Sequence, residues 1–259
     1  MKGRGYLASV SAGDAAWKVG LLNSGVDLLD SFHLGRCLLR AAESRFESEL
    51  IPKALDAILD EGSSYLHIDV GAYQGWWTHS LAQISRNSSF LLIEANPESA
   101  AVLASGPLPA RSVVMPVAVT RQEGGLVDLH ITRNAVGTSV RRPLPGQSHE
   151  WTHVAATEQV VSRRLDRIVE DLAPAPLGIL KIDAQGADLE VMESAGALLD
   201  GAGFLGVQIE INFMAFYEGQ DPWWRCVSYL EERRFRLRAL HVAYDSTRSA
   251  MYADALFSV

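Results

Sequence analysis

Apolar residues between Val26 and Leu59 recur at three- to four-residue steps: Leu28, Leu29, Phe32, Cys37, Leu38, Phe46 and Leu50. That is the period of helices burying one face. Pro52 suits the first turn of a new helix, with Leu55, Ile58 and Leu59 as its buried stripe and Gly62 as its C-terminal stop. Residues 1–62 therefore read as an N-terminal helical cap, although the stretch before Val26, rich in Gly, Ser and Ala, carries little pattern.

Beyond residue 62 the pattern changes to short apolar runs alternating with helical periods. "YLHIDV" (65–70), "SFLLIEA" (89–95), "SVVMPVAV" (112–119), "LGILKID" (177–183) and "FLGVQIEIN" (204–212) read as buried strands. Helices are expected over 76–86, from Pro97 to near Gly106, over 186–199 and over 221–234, the last with Asp221 as cap and Pro222 at its first position. Strands separated by helices imply a mostly parallel sheet with helices on both faces over residues 63–259. In the middle, Val127, Leu129 and Ile131 alternate with period two, and a Gly/Pro-rich stretch follows; a β excursion and a long rim loop are expected. "FRLRALHVA" and "MYADALFSV" have no helix between them, so they predict an antiparallel hairpin at one edge.

Composition narrows the class. The 259 residues allow one large domain or a domain plus an appendage. A net charge of −8 leaves no electrostatic footprint for nucleic acid or an anionic membrane. Cys37 and Cys226 stand too far apart in sequence for a metal knuckle or a disulfide framework, which suits a cytoplasmic location. No apolar run approaches the ~20 residues of a membrane span, and Ser9, Ser11, Gly13 and Asp14 interrupt any signal-peptide core.

The chemistry begins at "HIDVGAYQGWWT" (67–78), a glycine-bearing turn after the first strand. In an open α/β sheet, ligands sit at the carboxyl ends of the strands. Gly71 permits a tight turn and close approach of backbone to ligand, and Gly75 lets the next helix pack near the strand. Tyr73 stands where the usual dinucleotide pattern has its middle glycine. Asp69 would repel a pyrophosphate and would welcome a positive centre, such as the sulfonium and ammonium of S-adenosylmethionine. Glu94, at the end of the second strand, suits a ribose of either cofactor. A nicotinamide oxidoreductase thus remains the alternative.

These residues carry a resemblance. "HIDVGAYQG", "LLIEANPE", "VAV" (117–119), "VGTSV" (136–140), "RRLDRI" (163–168) and "LKIDAQGADLEVMESA" (180–195) resemble, in this order, the FkbM family of S-adenosylmethionine-dependent methyltransferases. The resemblance implies a Rossmann-like class I methyltransferase fold, a seven-stranded sheet of order 3-2-1-4-5-7-6 with strand seven antiparallel. It implies O-methylation of a small-molecule hydroxyl, as in natural products and sugars. Asp69, Gly71 and Gly75 would line the methionine part of the cofactor, Glu94 the ribose, and Val117 and Ala118 the adenine edge. Ala72, Thr78, Ala95 and Ser139 complete the expected cofactor contacts. Gln185 departs from the acid many members carry there, and Asp188 replaces the common Glu.

Methyl transfer asks the protein to align an acceptor oxygen and to take its proton. Asp183 and Glu210, ending the fourth and fifth strands, are the candidate carboxylates; a helix cap is the other reading of Asp183. The two could share a Mg²⁺, which is not favoured, and no metal site is expected. "HEWTH" (149–153) matches the H-E-x-x-H zinc-hydrolase pattern, but its Pro/Gly-rich run-in poorly suits the required helix. His149 or His153 is better used folding over the acceptor as a base. Gly137 to Ser139 could bond a ligand or form a turn, Glu190 reads as structural, and His67 and His241 read as packed core histidines. Trp76, Trp77, Trp223 and Trp224 suit packing or an acceptor wall. The acceptor would be the main partner, with no nucleic acid or membrane, and the N-terminal helices could support a homo-oligomer.

Overall fold

A computed structural model of the protein describes residues 43–145, 152–172, 176–200, 203–244 and 248–259. Most of the expected N-terminal cap, Cys37 and His149 lie outside them. The described chain begins in helix α1 (Glu43–Ile58), which runs through Pro52. Pro52 therefore does not open a new helix, as its position suggested: it sits inside one, and the carbonyl one turn earlier loses its amide partner.

The next elements follow the sequence pattern closely: β1 (Leu66–Val70), α2 (Trp76–Ile84), β2 (Ser89–Ile93) and α3 (Pro97–Ser105). Pro97 takes the first turn of α3, and Asn96 caps it by accepting from the amides of Glu98 and Ser99. The run 112–119 is not one strand. It splits into β3 (Ser112–Met115) and β4 (Ala118–Val119), which belong to different sheets, with Pro116 between them unable to donate to a ladder. The β excursion is β5 (Leu126–Thr132), and it pairs with β6 (Val154–Arg163), a strand the apolar pattern did not reveal because most of it is exposed.

Then come α4 (Leu165–Leu172), β7 (Leu177–Ile182), α5 (Asp188–Ala195), β8 (Gly206–Asn212), α6 (Trp223–Glu232), β9 (Arg236–Tyr244) and β10 (Ala250–Ser258). Asp221 does not cap α6. Pro222 holds the cap position, and Asp221 instead accepts a hydrogen bond from the Arg225 guanidinium at 2.5 Å.

The main sheet has the order β3-β2-β1-β7-β8-β10-β9, with β10 antiparallel to both neighbours and β1, β2, β3, β7 and β8 paired in parallel. Counted by appearance in this sheet, that is 3-2-1-4-5-7-6, the expected order. β4, β6 and β5 form a small second sheet. One face of the main sheet buries Ile51 and Leu55 of α1, Leu81 of α2 and Leu103 of α3 against Leu92, Ile179 and Leu256. The other buries α4, α5 and α6 against Ile68, Leu91, Leu180, Val207 and Ile209. Strand order reverses between β1 and β7, so the crevice where this architecture holds ligands lies beyond their carboxyl ends. No helix among the described residues is long and apolar enough to cross a membrane.

Candidate active site

A polar row crosses the α1–α3 face of the sheet just below that crevice. Asp69 on β1 pairs with Lys181 on β7, which pairs with Gln208 on β8. Their neighbours in register, Leu92 and Leu256, belong to the apolar core of this face. Helix α2 closes the row: the Thr78 hydroxyl donates to Asp69 Oδ2 at 2.8 Å, and Trp77 Nε1 donates to Gln208 Oε1 at 2.8 Å. Thr78 is thus buried beneath the crevice, and Trp77 anchors α2 to β8.

Lys181 is the hub. Its ammonium lies 3.5 Å from Asp69 Oδ1 and 3.2 Å from Asp183 Oδ2, and it donates to the Gly71 carbonyl at 3.1 Å. Burial disfavours its charge, but Asp183 and Asp69 outweigh that and hold the amine protonated above its ordinary range. The cation expected beside Asp69 is therefore supplied by the chain. Asp69 is only 1% exposed, and its Oδ1 has no hydrogen-bond donor. Burial pushes its proton affinity up, while Lys181 and Thr78 pull it back.

The glycine turn is held by its neighbours rather than by its own side chains. Gly71 has φ 75°, and a Cβ there would lie 2.0 Å from the Asp183 carbonyl oxygen, so β1 and β7 approach backbone to backbone. Gly75 has φ 74°, and its missing Cβ admits Leu103 and Leu92 from α3 and β2. Tyr73 takes φ 47°, the left-handed backbone that the absent glycine would favour. Its amide donates to Glu94 Oε2 at 2.8 Å, and the Asn96 amide donates to Oε1 at 2.9 Å. One carboxylate thus straps the turn after β1 to the turn after β2. Burial raises its proton affinity against those two amides. The Tyr73 ring meets Trp76 edge-on at 5.5 Å, and Trp76 is 64% exposed at the rim.

Beyond Lys181, acids end successive strands. Asp183 follows the register pair Ile182–Ile209, next to Glu210 on β8, and Glu210 pairs with Asp254 on β10. Glu210 is held protonated well above the ordinary range, by burial first and then by Asp183, Asp188 and Asp254; Asn212 Nδ2 at 3.4 Å offsets this weakly. Asp183 is not the helix cap. Asp188 accepts from the amides of Ala184 and Gly186 at 2.8 and 3.1 Å, while Asp183 accepts from Lys181 and from Gln185 Nε2 at 2.6 Å.

Other expected residues fall elsewhere. Ala72 and Ala118 are buried, Val117 is partly buried, and Ala95 packs beside Ala118 and Leu129. Ser139 is buried, its hydroxyl donating to the Gln185 carbonyl at 2.8 Å. Glu190 pairs with Arg141 at 3.3 Å and Arg121 at 3.6 Å. His241 is not a core residue: its side chain is 41% exposed on edge strand β9, 4.0 Å from Asp254. His153 is exposed and directly precedes β6, while His149, Glu150 and Trp151 of the H-E-x-x-H match lie outside the described residues. Among the described residues no group of three or more His, Cys, Asp or Glu is placed to hold a metal. A cavity of about 530 Å³ lined by Arg121, His130, Arg141 and Glu190 shares no residue with the carboxylate cluster.

Lys181 and Tyr217 escaped the sequence reading. Lys181 had a signal, because a lysine within an otherwise apolar central strand is out of place. Tyr217 had none.

The family model described as the methyltransferase FkbM domain matches residues 69–237, which contain every element from the glycine turn to the start of β9. No curated protein matches the chain. Among solved structures, similarity is seen to a precorrin-6y C5,15-methyltransferase from Geobacter metallireducens, with 9% identity, TM-score 0.44, and 81% of this chain and 87% of that one covered. An rRNA methylase from Streptococcus thermophilus gives 13% identity and TM-score 0.45, covering 82% and 97%. TrmK from M. capricolum, solved with S-adenosyl-homocysteine, gives 8% identity and TM-score 0.44, covering 80% and 66%.

Proposed function

The chain belongs to the FkbM methyltransferase family, and on that premise we propose that it binds S-adenosylmethionine over the carboxyl ends of β1, β2 and β7 and methylates a hydroxyl of a small molecule. The observation that carries this reading is the charge balance of the site. Even without the protonated Glu210, three carboxyl groups, Asp69, Glu94 and Asp183, share the field of one ammonium among the described residues, that of Lys181. Such a surplus suits a cationic cofactor and opposes a pyrophosphate. With the family match, it replaces both the nicotinamide and the zinc readings.

The residues fit that cofactor. Each Glu94 oxygen holds one amide and keeps a lone pair for a ribose hydroxyl. Gly71 brings backbone to the crevice without a side chain, and the partly buried Ala95 and Val117 offer small apolar surface for a base, with Ala118 packed behind them. Bound there, the cofactor supplies an activated methyl group. The chain supplies alignment, which is worth up to ~7–11 kcal/mol in such reactions. Asp183, with both oxygens held by donors, accepts and orients the incoming hydroxyl. Glu210, with only a weak donor and a high proton affinity, is in its ionised form the base that takes the proton as the oxygen loses it. His149 and His153 stay secondary candidates for that step. The net charge of −8 supports a small acceptor over a polyanion.

The test is transfer of labelled methyl from S-adenosylmethionine to a panel of small hydroxyl compounds and, in parallel, to RNA. Glu210→Gln should lower kcat by roughly 10²–10⁴ on any accepted compound, with cofactor affinity retained. Labelling of RNA alone, or full activity in Glu210→Gln, contradicts the reading.

A further inference from the structure

Gln185 stands at the meeting point of three segments that are remote in sequence. Its Nε2 lies 2.6 Å from Asp183 Oδ1. A carboxylate only accepts, so this contact fixes which way the amide faces and turns Oε1 toward the Tyr217 hydroxyl, 2.9 Å away. That oxygen needs a donor, so the phenol proton goes to it; the Gly137 carbonyl, 3.1 Å from the same hydroxyl, competes for the one proton. The Gln185 backbone carbonyl in turn accepts from Ser139 Oγ at 2.8 Å.

The surrounding chain is shaped for these contacts. Gln185 holds φ 50° and Gly186 φ 87°, and a Cβ on Gly186 would come within 2.8 Å of the Tyr217 ring. Tyr217 is 2% exposed although it lies in the segment between β8 and α6. Backbone bonds join that segment to the rim segment 135–144: Leu144 donates to the Phe216 carbonyl and Glu218 to the Arg142 carbonyl, both at 2.8 Å. The rim segment, the β8–α6 segment and the turn after β7 therefore meet at one amide.

We infer that Gln185 is a positioning residue: its amide fixes the Asp183 carboxylate and, through Tyr217, ties that orientation to docking of the rim segment 135–144. The role of Asp183 rests on the proposed transfer reaction; the coupling does not. An acid at position 185 would set two carboxylates 2.6 Å apart, which only protonation or displacement relieves. The Gln185 amide, a donor on one side and an acceptor on the other, is what bridges Asp183 to Tyr217 and keeps the wall closed.

The experiment is hydrogen exchange on the full chain without ligand, read over residues 135–144. Gln185→Glu and Tyr217→Phe should each speed exchange there about 10-fold while the urea midpoint moves little. The double variant Asp183→Asn with Gln185→Glu exchanges amide for carboxylate across the same pair, with the Asn carbonyl toward Lys181. It should return exchange to within about 3-fold of the original protein, a rescue that a role in mere space-filling does not predict. Unchanged exchange in Gln185→Glu, or no rescue in the double variant, overturns the inference. Calorimetry with S-adenosyl-homocysteine on the unaltered protein separates the two claims: absent binding beside an intact rescue removes the cofactor reading and leaves the coupling standing.

Discussion

The chemistry open to a side chain depends on which end of β1 it occupies. His67, near the N-terminal end, is fully buried. Its Nδ1 accepts from the Ile179 amide at 2.9 Å, so the proton sits on Nε2 and is donated to Ser85 Oγ at 2.9 Å. Ser85 meets Ser88, which also accepts from the Tyr65 amide. No position remains for a second proton on the ring, and burial lowers its pKa from 6.5 to about 4. The unfolded chain therefore binds more protons between those values. The contribution to stability is complete above pH 6.5, falls as pH drops toward 4, and amounts to roughly 3 kcal/mol. Buried carboxylates such as Asp188, raised by burial to about 6, act in the opposite direction, so the ring itself is the proper readout. In a ¹⁵N NMR titration the His67 imidazole should stay neutral at pH 5.5 with its proton on Nε2. Titration near pH 6.5 would refute this account. Two residues further on, Asp69 exchanges that neutral network for Lys181.

At the scale of elements, local rules explain most of the chain and fail at identifiable places. Helices α2 and α3 and strands β1, β2, β7 and β8 were legible because central parallel strands are predominantly apolar and their helices carry clear stops. Strand β6 was not, since a strand in a small, solvated sheet shows no continuous apolar run: residues 154–159 are all exposed. α1 shows the opposite failure, a helix continuing through the proline that should have begun it. Packing of Ile51 and Leu55 against Ala239 and Leu256 overrides the local cost. That cost should be recoverable. Pro52 is exposed, and a proline inside a helix is disfavoured by about 3 kcal/mol against alanine, less near an end. Pro52→Ala should raise unfolding stability by roughly 1 kcal/mol or more in urea denaturation. A lower midpoint would mean that the ring makes a contact α1 depends on.

Across the whole molecule, the glycine turn, Glu94, Asp183 and Glu210 were legible because topology brings the carboxyl ends of β1, β2, β7 and β8 to one crevice. What stayed hidden was how the polar groups pair. The register that sets Lys181 beside Asp69, and the loop that carries Tyr217 onto Gln185, are tertiary facts with no local trace. Hence Asp69, which suggested a free acid awaiting a cationic ligand, is already committed to Lys181 and Thr78. Glu94 becomes the better test of the proposed cofactor site, because its two amide bonds leave each oxygen a further lone pair. Cofactor binding at that crevice can be measured directly. Titration calorimetry of S-adenosylmethionine into the purified protein should show one saturable site, weakened roughly 10- to 100-fold in Glu94→Ala, the loss of hydrogen bonds to a charged group. No binding to the unaltered protein, or equal binding to a folded Glu94→Ala variant, would contradict the account.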